Sequence, residues 1–322
     1  MMKQQNNSIL FLEPVMKQMV WGGSRLRDEF GYVIPGEDTG ECWAVSAHPN
    51  GDCKIRSGDF EGKTLSELWD NERELFGNIA VDRFPLLAKI IDAKEDLSIQ
   101  VHPDDQYAKA YENGSLGKTE CWYILDAPRD AKLVIGHSAR TKEELANRIA
   151  REQWSELLVK VPVRKGDFIQ IDPGTVHAIT AGIMILEIQQ SSDITYRLYD
   201  YGRLSGGIPR ELHIKKSMEV IQIPTTDLNQ MVSHCDNLPK DTWNQLVVSD
   251  YYLVWKLEVE KGVCFQQNFP FLIMNVIEGD GLMNGQHIKK GDHFILPNLF
   301  GEVQLQGKMS LILSTIPQKY IV

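Results

Sequence analysis

Cysteine is scarce in this chain and scattered where it occurs. The five thiols, Cys42, Cys53, Cys121, Cys235 and Cys264, form no Cys-x-x-Cys pair and are odd in number. That pattern argues against a disulfide framework and against a thiolate zinc site, and it fits a reducing compartment. Positive charge is also short: 34 Lys and Arg stand against 44 Asp and Glu, for a net charge of −10. Such a surface repels the phosphates of nucleic acid and of anionic lipid, so neither is expected as a partner. An anionic substrate would need a local cluster of Lys or Arg. No apolar run approaches the length of a membrane span. The apolar stretch near the N-terminus is too short for a signal peptide, and Pro14 interrupts it. The expectation is a cytoplasmic protein, a monomer or weak dimer.

What is abundant is short β-like sequence. Of the 322 residues 43% are hydrophobic, enough for one large core or two medium ones. Segments of four to eight residues rich in Val, Ile, Leu, Tyr and Trp are punctuated by Gly, Pro or Asp. Residues 97–102, 120–125, 168–171, 183–188 and 195–199 are examples, and 251–259, 271–277, 293–296 and 310–316 continue the style. Helical stretches are few: 64–72, 104–113, and 141–158. The last opens with a capping-box pattern, Thr141 with Glu144 three residues on, and carries an apolar stripe of Leu145, Ile149, Trp154, Leu157 and Leu158. It reads as a helical insertion at the edge of a mostly-β fold.

An internal echo organises the rest. Lys165-Gly166-Asp167 leads through a short apolar run to Pro173, and Lys290-Gly291-Asp292 does the same to Pro297. Upstream, residues 122–126 resemble 274–278. Strand, Gly-Asp turn, strand, then Pro is the rhythm of a cupin jelly roll, and two copies predict two such β-barrels in one chain. The polar, unpatterned stretch 223–241, with Pro224 and Pro239, is the expected boundary. The division is residues 1–235, carrying the chemistry and the helical insertion, and residues 236–322, a metal-free cupin-like barrel.

The polar positions cluster in the first part. In LSIQVHPDD, Ser98, Gln100 and His102 share one strand face, while Leu97, Ile99 and Val101 share the other. Glu120 heads a strand with Trp122 and Ile124 on its face, a costly place for a carboxylate without a partner, and Lys118 lies two residues earlier. His177 follows the Pro173-Gly174 turn. Gln100, His102, Glu120 and His177 together make a set suited to one divalent metal per chain. Taken singly, each also fits an ordinary structural role. In the second part the position matching Glu120 falls near Phe271 or Leu272, and no histidine follows Pro297. His287 and His293 are the candidates there, without a matching carboxylate. Glu187 and Gln189 share a polar strand face, and Thr195, Arg197, Tyr199 and Tyr201 share another. Arg197 suits an oxyanion, or a salt bridge to Asp193 or Asp200.

Four stretches, LLAKIIDAKEDLSIQVHPDD (86–105), GKTECWYILD (117–126), KGDFIQIDPGTVHAI (165–179) and EIQQSSDITYRLYDYGR (187–203), resemble the type I mannose-6-phosphate isomerases in their short bacterial form. WGGSRL (21–26) and ECWAVSAHPNG (41–51) are also similar. The resemblance covers most of residues 10–215 and, more weakly, the remainder. It implies Zn2+ on Gln100, His102, Glu120 and His177, an active-site arginine at Arg197, and substrate phosphate handled by Ser98 and Lys118. It also implies interconversion of mannose 6-phosphate and fructose 6-phosphate through a cis-enediol. That reaction needs a base for a carbon-bound proton, and Glu187 is the first candidate by its polar-face position. His48 and a metal-bound water are the others. A non-catalytic sugar- or metal-sensing cupin and an iron oxygenase are the rival classes for the same residues.

Overall fold

Three antiparallel sheets of seven, five and nine strands carry most of the chain in the computed structural model, which describes residues 8–227, 231–235 and 237–320. The seven-stranded sheet runs in the order Val232–His234, Asp167–Ile171, Glu120–Asp126, Met184–Gln190, Leu86–Asp92, Thr39–Val45, Val15–Gly23. Its central strands are buried on both faces, so they read as continuous apolar runs. Trp122, Ile124, Ile169 and Ile185 point to one side, where Leu133 and Ile135 of the five-stranded sheet meet them. Cys121, Tyr123, Leu186 and Ile188 point to the other, where Phe271 and Ile312 of the nine-stranded sheet meet them, with Tyr252 just ahead of its strand Leu253–Val259. Each such fully buried side chain contributes about 1.5–3 kcal/mol.

The five-stranded sheet runs Leu158–Pro162, Lys132–His137, His177–Ala178, Ile99–Val101, Tyr196–Tyr199. Its outer face, with Val101, Val134 and Leu198, is covered by Leu145 and Ile149 and by Met218. The nine-stranded sheet holds a further core built from its own residues, among them Leu257, Leu272, Phe294 and Leu305. Fold class is therefore mostly β with few short helices, as expected.

Three details depart from the sequence reading. The stretch 141–158 is not one helix. Lys142–Ala150 is helical, with the Thr141 hydroxyl accepting the Glu144 N–H at 3.1 Å. Glu152 then takes a φ of 52°, which a helix cannot accommodate, and a single turn, Trp154–Leu157, leads into the edge strand Leu158–Pro162. Second, the strand Leu10–Glu13 pairs not with its sequence neighbours but with His293–Pro297, Leu10 opposite Ile295, so this strand lies in the nine-stranded sheet. Third, the stretch 223–241 is not wholly linker, since Val232–His234 adds a strand beside Asp167–Ile171. Among the described residues no helix is long and apolar enough to cross a membrane.

Candidate active site

The polar set lies between the seven- and five-stranded sheets, at one end of their shared apolar core. In the five-stranded sheet, neighbouring strands place His177 opposite Gln100 and Gln100 opposite Arg197, a row of three. In the facing sheet Glu120 sits opposite Gln189, and Glu187 lies between Trp122 and Lys89. His102 stands just past its strand, with Pro103 ending it. Alternation along each strand aims these groups inward and sends Ile99 and Val101 to the opposite face.

His102, Glu120 and His177 are each buried, and they bring ligand atoms within 4.8 Å of one another. His177 Nε2 lies 3.2 Å from Glu120 Oε1, and His102 Nε2 lies 3.5 Å from Glu120 Oε2. Both imidazoles turn their Nδ1 outward: His102 donates to the Ile194 carbonyl at 2.7 Å and His177 to the Thr175 carbonyl at 2.9 Å. Those bonds fix the proton on Nδ1 and leave Nε2 a lone pair facing the carboxylate, the arrangement that orients metal-binding histidines. Burial, reinforced by the Lys118 charge, holds His102 well below the usual imidazole range. Burial lowers His177 to about 4. Both rings are thus neutral and able to ligate near pH 7. The Gln100 amide lies 3.3 Å from His177 Nε2, and a flip of that amide offers Oε1 instead.

One observation tests whether a cation fits here. Among the described residues Glu120 Oε1 is buried and makes no hydrogen bond, with the His177 Nε2 lone pair 3.2 Å away and His102 Nε2 against the other oxygen of the same carboxylate. An orphaned carboxylate oxygen among neutral nitrogen donors is a poor arrangement on its own and a good one around a divalent ion. Burial and the nearby Glu187 charge push the Glu120 carboxyl up, a direction that the charge of a bound metal would reverse.

Two lysines balance the second carboxylate. Glu187 accepts from the Trp122 indole at 3.0 Å and lies 3.4 Å from Lys89 Nζ and 3.9 Å from Lys118 Nζ. Burial would raise this carboxyl, but the Lys118 and Lys89 charges and the indole bond outweigh burial and leave it below its ordinary value. Its Oε1 has no hydrogen-bond partner. Lys118 is itself bonded to Glu120 at 2.5 Å and stands 3.1 Å from His102 Nε2.

A small cavity opens beside the cluster, about 60 Å³, lined by Ser98, Gln100, Lys118, Glu187, Thr195 and Arg197 among others. Neither salt bridge considered for Arg197 forms. Asp200 is held by Arg203 and Arg210 at 2.6 and 2.5 Å, and Asp193 faces His48 and Asn50. Arg197 Nε is buried without a partner, and burial with the Arg210 charge lowers its affinity for a proton. Tyr199 does not share this cavity. The strand is irregular between Arg197 and Tyr199, and Tyr199 stacks on Trp154, ring centres 4.8 Å apart. His48 faces Asp193 rather than the cavity.

Three charged cavity residues were not singled out from sequence: Glu41, Lys89 and Arg210. Lys89 had a signal, a lone ammonium inside the apolar strand LLAKIID, which is expensive to bury unpaired. Arg210 had none, since it arrives from an exposed hairpin, Leu204–Ser205 with Ile208–Pro209.

This sequence and fold are matched elsewhere. Residues 9–126 match the family model for the catalytic domain of type I phosphomannose isomerase, and residues 242–316 match that for the mannose-6-phosphate isomerase cupin domain. The mannose-6-phosphate isomerase ManA of Bacillus subtilis is 50% identical over 95% of this chain and 98% of its own length. The mannose-6-phosphate isomerase of Streptococcus mutans is 46% identical over 95% of this chain and 97% of its own. A crystal structure of mannose 6-phosphate isomerase from Bacillus subtilis superposes with a TM-score of 0.90 at 45% identity, covering 96% of this chain and 100% of that one. A phosphomannose isomerase structure from Salmonella typhimurium, 16% identical, shares the fold with a TM-score of 0.79, over 96% of this chain and 99% of that one. The chain belongs to the type I phosphomannose isomerase family.

Proposed function

We propose that this protein interconverts D-mannose 6-phosphate and D-fructose 6-phosphate, with one Zn2+ per chain held by His102, Glu120 and His177 and assisted by Gln100. The observation that carries the metal reading is a buried carboxylate flanked by two imidazoles: Glu120 Oε1, which makes no hydrogen bond among the described residues, lies 3.2 Å from His177 Nε2, and Glu120 Oε2 lies 3.5 Å from His102 Nε2. When bound, the ion supplies Lewis-acid polarisation of substrate oxygens without redox chemistry.

The chain's own groups do the rest. Aldose to ketose conversion removes the C2 proton of the open-chain sugar and places one on C1, through a cis-enediol. Glu187 is the proposed base: it is ionised and buried, it lines the cavity, and its Oε1 is ion-paired with Lys89 and Lys118 but accepts no hydrogen bond among the described residues. In the forward direction it takes the C2 proton and returns it to C1, while the hydroxyl proton of O2 is transferred to O1. Negative charge gathers on those oxygens between the two steps. Arg197, whose buried Nε has no hydrogen-bond partner among the described residues, presents a planar fork of donors to it. Ser98 and Lys118 line the same cavity and are the proposed partners of substrate oxygens, phosphate included. Lys118, with Lys89, Arg197 and Arg210 on the same cavity, answers the need for local positive charge on a chain of net charge −10. The echo of strand and turn in the two halves supports two cupin-type units, with the C-terminal one metal-free, and we place the enzyme in the cytoplasm.

The test is an anaerobic assay of the purified protein with mannose 6-phosphate, before and after chelation and after zinc is restored. Fructose 6-phosphate should form without oxygen, cease on chelation and return with zinc. Conversion that needs oxygen, or no conversion by the zinc-loaded protein, would contradict the proposal.

A further inference from the structure

The loop 191–195 carries the chain from the seven-stranded sheet to the five-stranded one, and its Ile194 carbonyl accepts the Nδ1 proton of His102 at 2.7 Å. The position of that one oxygen decides how the His102 ring is turned. Ile194 has no ladder partner of its own, since the next strand begins only at Tyr196. Its inner neighbours are tied down: Ser191 N–H donates to the Pro85 carbonyl at 2.9 Å and the Ser192 hydroxyl to the Leu116 carbonyl at 3.0 Å. Asp193, next to Ile194, is held from a distant part of the chain.

The holder is the tip of a two-residue-per-strand hairpin, Ala47–His48 with Gly51–Asp52. Asn50 Nδ2 donates to Asp193 Oδ2. The Asn50 backbone N–H donates to His48 Nδ1 at 3.2 Å. In the neutral ring that bond leaves the proton on Nε2, which faces Asp193 Oδ1 at 3.5 Å. His48 is braced by its own N–H on the Ser46 hydroxyl at 3.1 Å and edge-on by the Trp43 ring, centres 5.7 Å apart. Both oxygens of Asp193 are thus gripped by one rigid turn. The exposed pair contributes little to stability by itself, so its use lies in where it holds the loop.

We infer that the His48–Asn50 turn is a positioning device for the metal centre, acting through Asp193 and the Ile194 carbonyl on the orientation of His102. This rests on the metal reading above. It removes His48 from the list of bases and gives it, with Asn50, a role two hydrogen bonds removed from the His102 ring. Because the same loop continues into Thr195 and Arg197, which line the cavity, the turn sets the metal and the substrate wall from one point.

The test uses the full chain, stripped of metal and titrated with zinc against a competing chelator, with cobalt as a spectroscopic substitute. Asp193→Ala should keep the melting temperature of the metal-free protein but bind zinc roughly tenfold more weakly, the lower end for losing a partner behind a ligand, with an altered visible cobalt spectrum. Asn50→Ala, a milder variant, should shift the same way. His48→Gln, whose amide can still donate to Asp193, should bind more tightly than His48→Ala. Wild-type zinc affinity and an unchanged cobalt spectrum in both Asp193→Ala and Asn50→Ala would overturn the inference while leaving the metal site intact. Failure of the unaltered protein to bind either metal would instead overturn the metal reading, and this inference with it.

Discussion

Two antiparallel strand pairs in this molecule share a frame and differ in what they hold. In the first, Glu120–Asp126 pairs with Asp167–Ile171; in the second, Phe271–Met283 pairs with His293–Pro297. Tyr123 faces Phe168 as Asn275 faces His293, and Trp122 faces Ile169 as Met274 faces Phe294. The turns match as well. Gly166 N–H donates to Ile124 O at 2.9 Å and Gly291 N–H to Val276 O at 3.0 Å, with φ of 93° and 88°, a region that favours glycine. The Asp167 and Asp292 carboxylates each accept the N–H three residues back, of Arg164 and Lys289. Then the copies part. Opposite Ile171 stands Glu120; opposite Leu296 stands Leu272. Both are fully buried. Turn chemistry and register build the frame, and single inward positions decide whether it holds a core or a reactive site. A carboxylate is tolerated at 120 because Lys118 and two imidazoles surround it; Leu272 packs among Met274, Phe294 and Leu296 and needs no partner.

The comparison breaks first at His177. His177→Ala should lose its metal and, with it, activity by more than the roughly 10–100-fold typical of removing a mere supporting partner; metal analysis and turnover measured on one preparation check this. Next comes Leu272→Glu, which writes the first strand pair's residue into the second. With no lysine or imidazole placed for it there, the carboxyl should cost about 3 kcal/mol or more, read as a fall in denaturant midpoint, and should create no second metal site.

Arg197→Ala follows, an effect on rate alone. It should keep fold and zinc yet lose on the order of a hundredfold in kcat, and Arg197→Lys should restore little because an ammonium lacks the planar fork. A rise in KM with kcat unchanged would make Arg197 a phosphate anchor instead. The smallest effect is expected at Gln100, an amide oxygen being a weaker ligand than imidazole or carboxylate. Gln100→Ala should retain part of both metal affinity and activity, losing about tenfold or less in zinc affinity.

Much of this was legible because strand alternation is a local property. Ser98, Gln100 and His102 could be put on one face, and Glu120 beside Trp122, from spacing alone, and the resemblance joined them to His177. What was not legible depends on neighbours far along the chain or on local irregularity. Nothing near Leu10 signals that it will pair with Ile295. The irregularity after Arg197 sends Tyr199 to Trp154, against strict alternation. A positive φ at Glu152 cuts a helix whose apolar spacing continues through the break. Lys89 enters the site because Glu187 and Glu41 flank its strand, and a single sequence shows no such pairing.

The central claim is that one frame, used twice, carries a metal once. Zinc titrated into the metal-free protein, with stoichiometry read by mass spectrometry under native conditions, tests it directly. One equivalent per chain should bind, and His177→Ala should bind none. Two equivalents in the unaltered protein, or one that survives His177→Ala, would contradict the account.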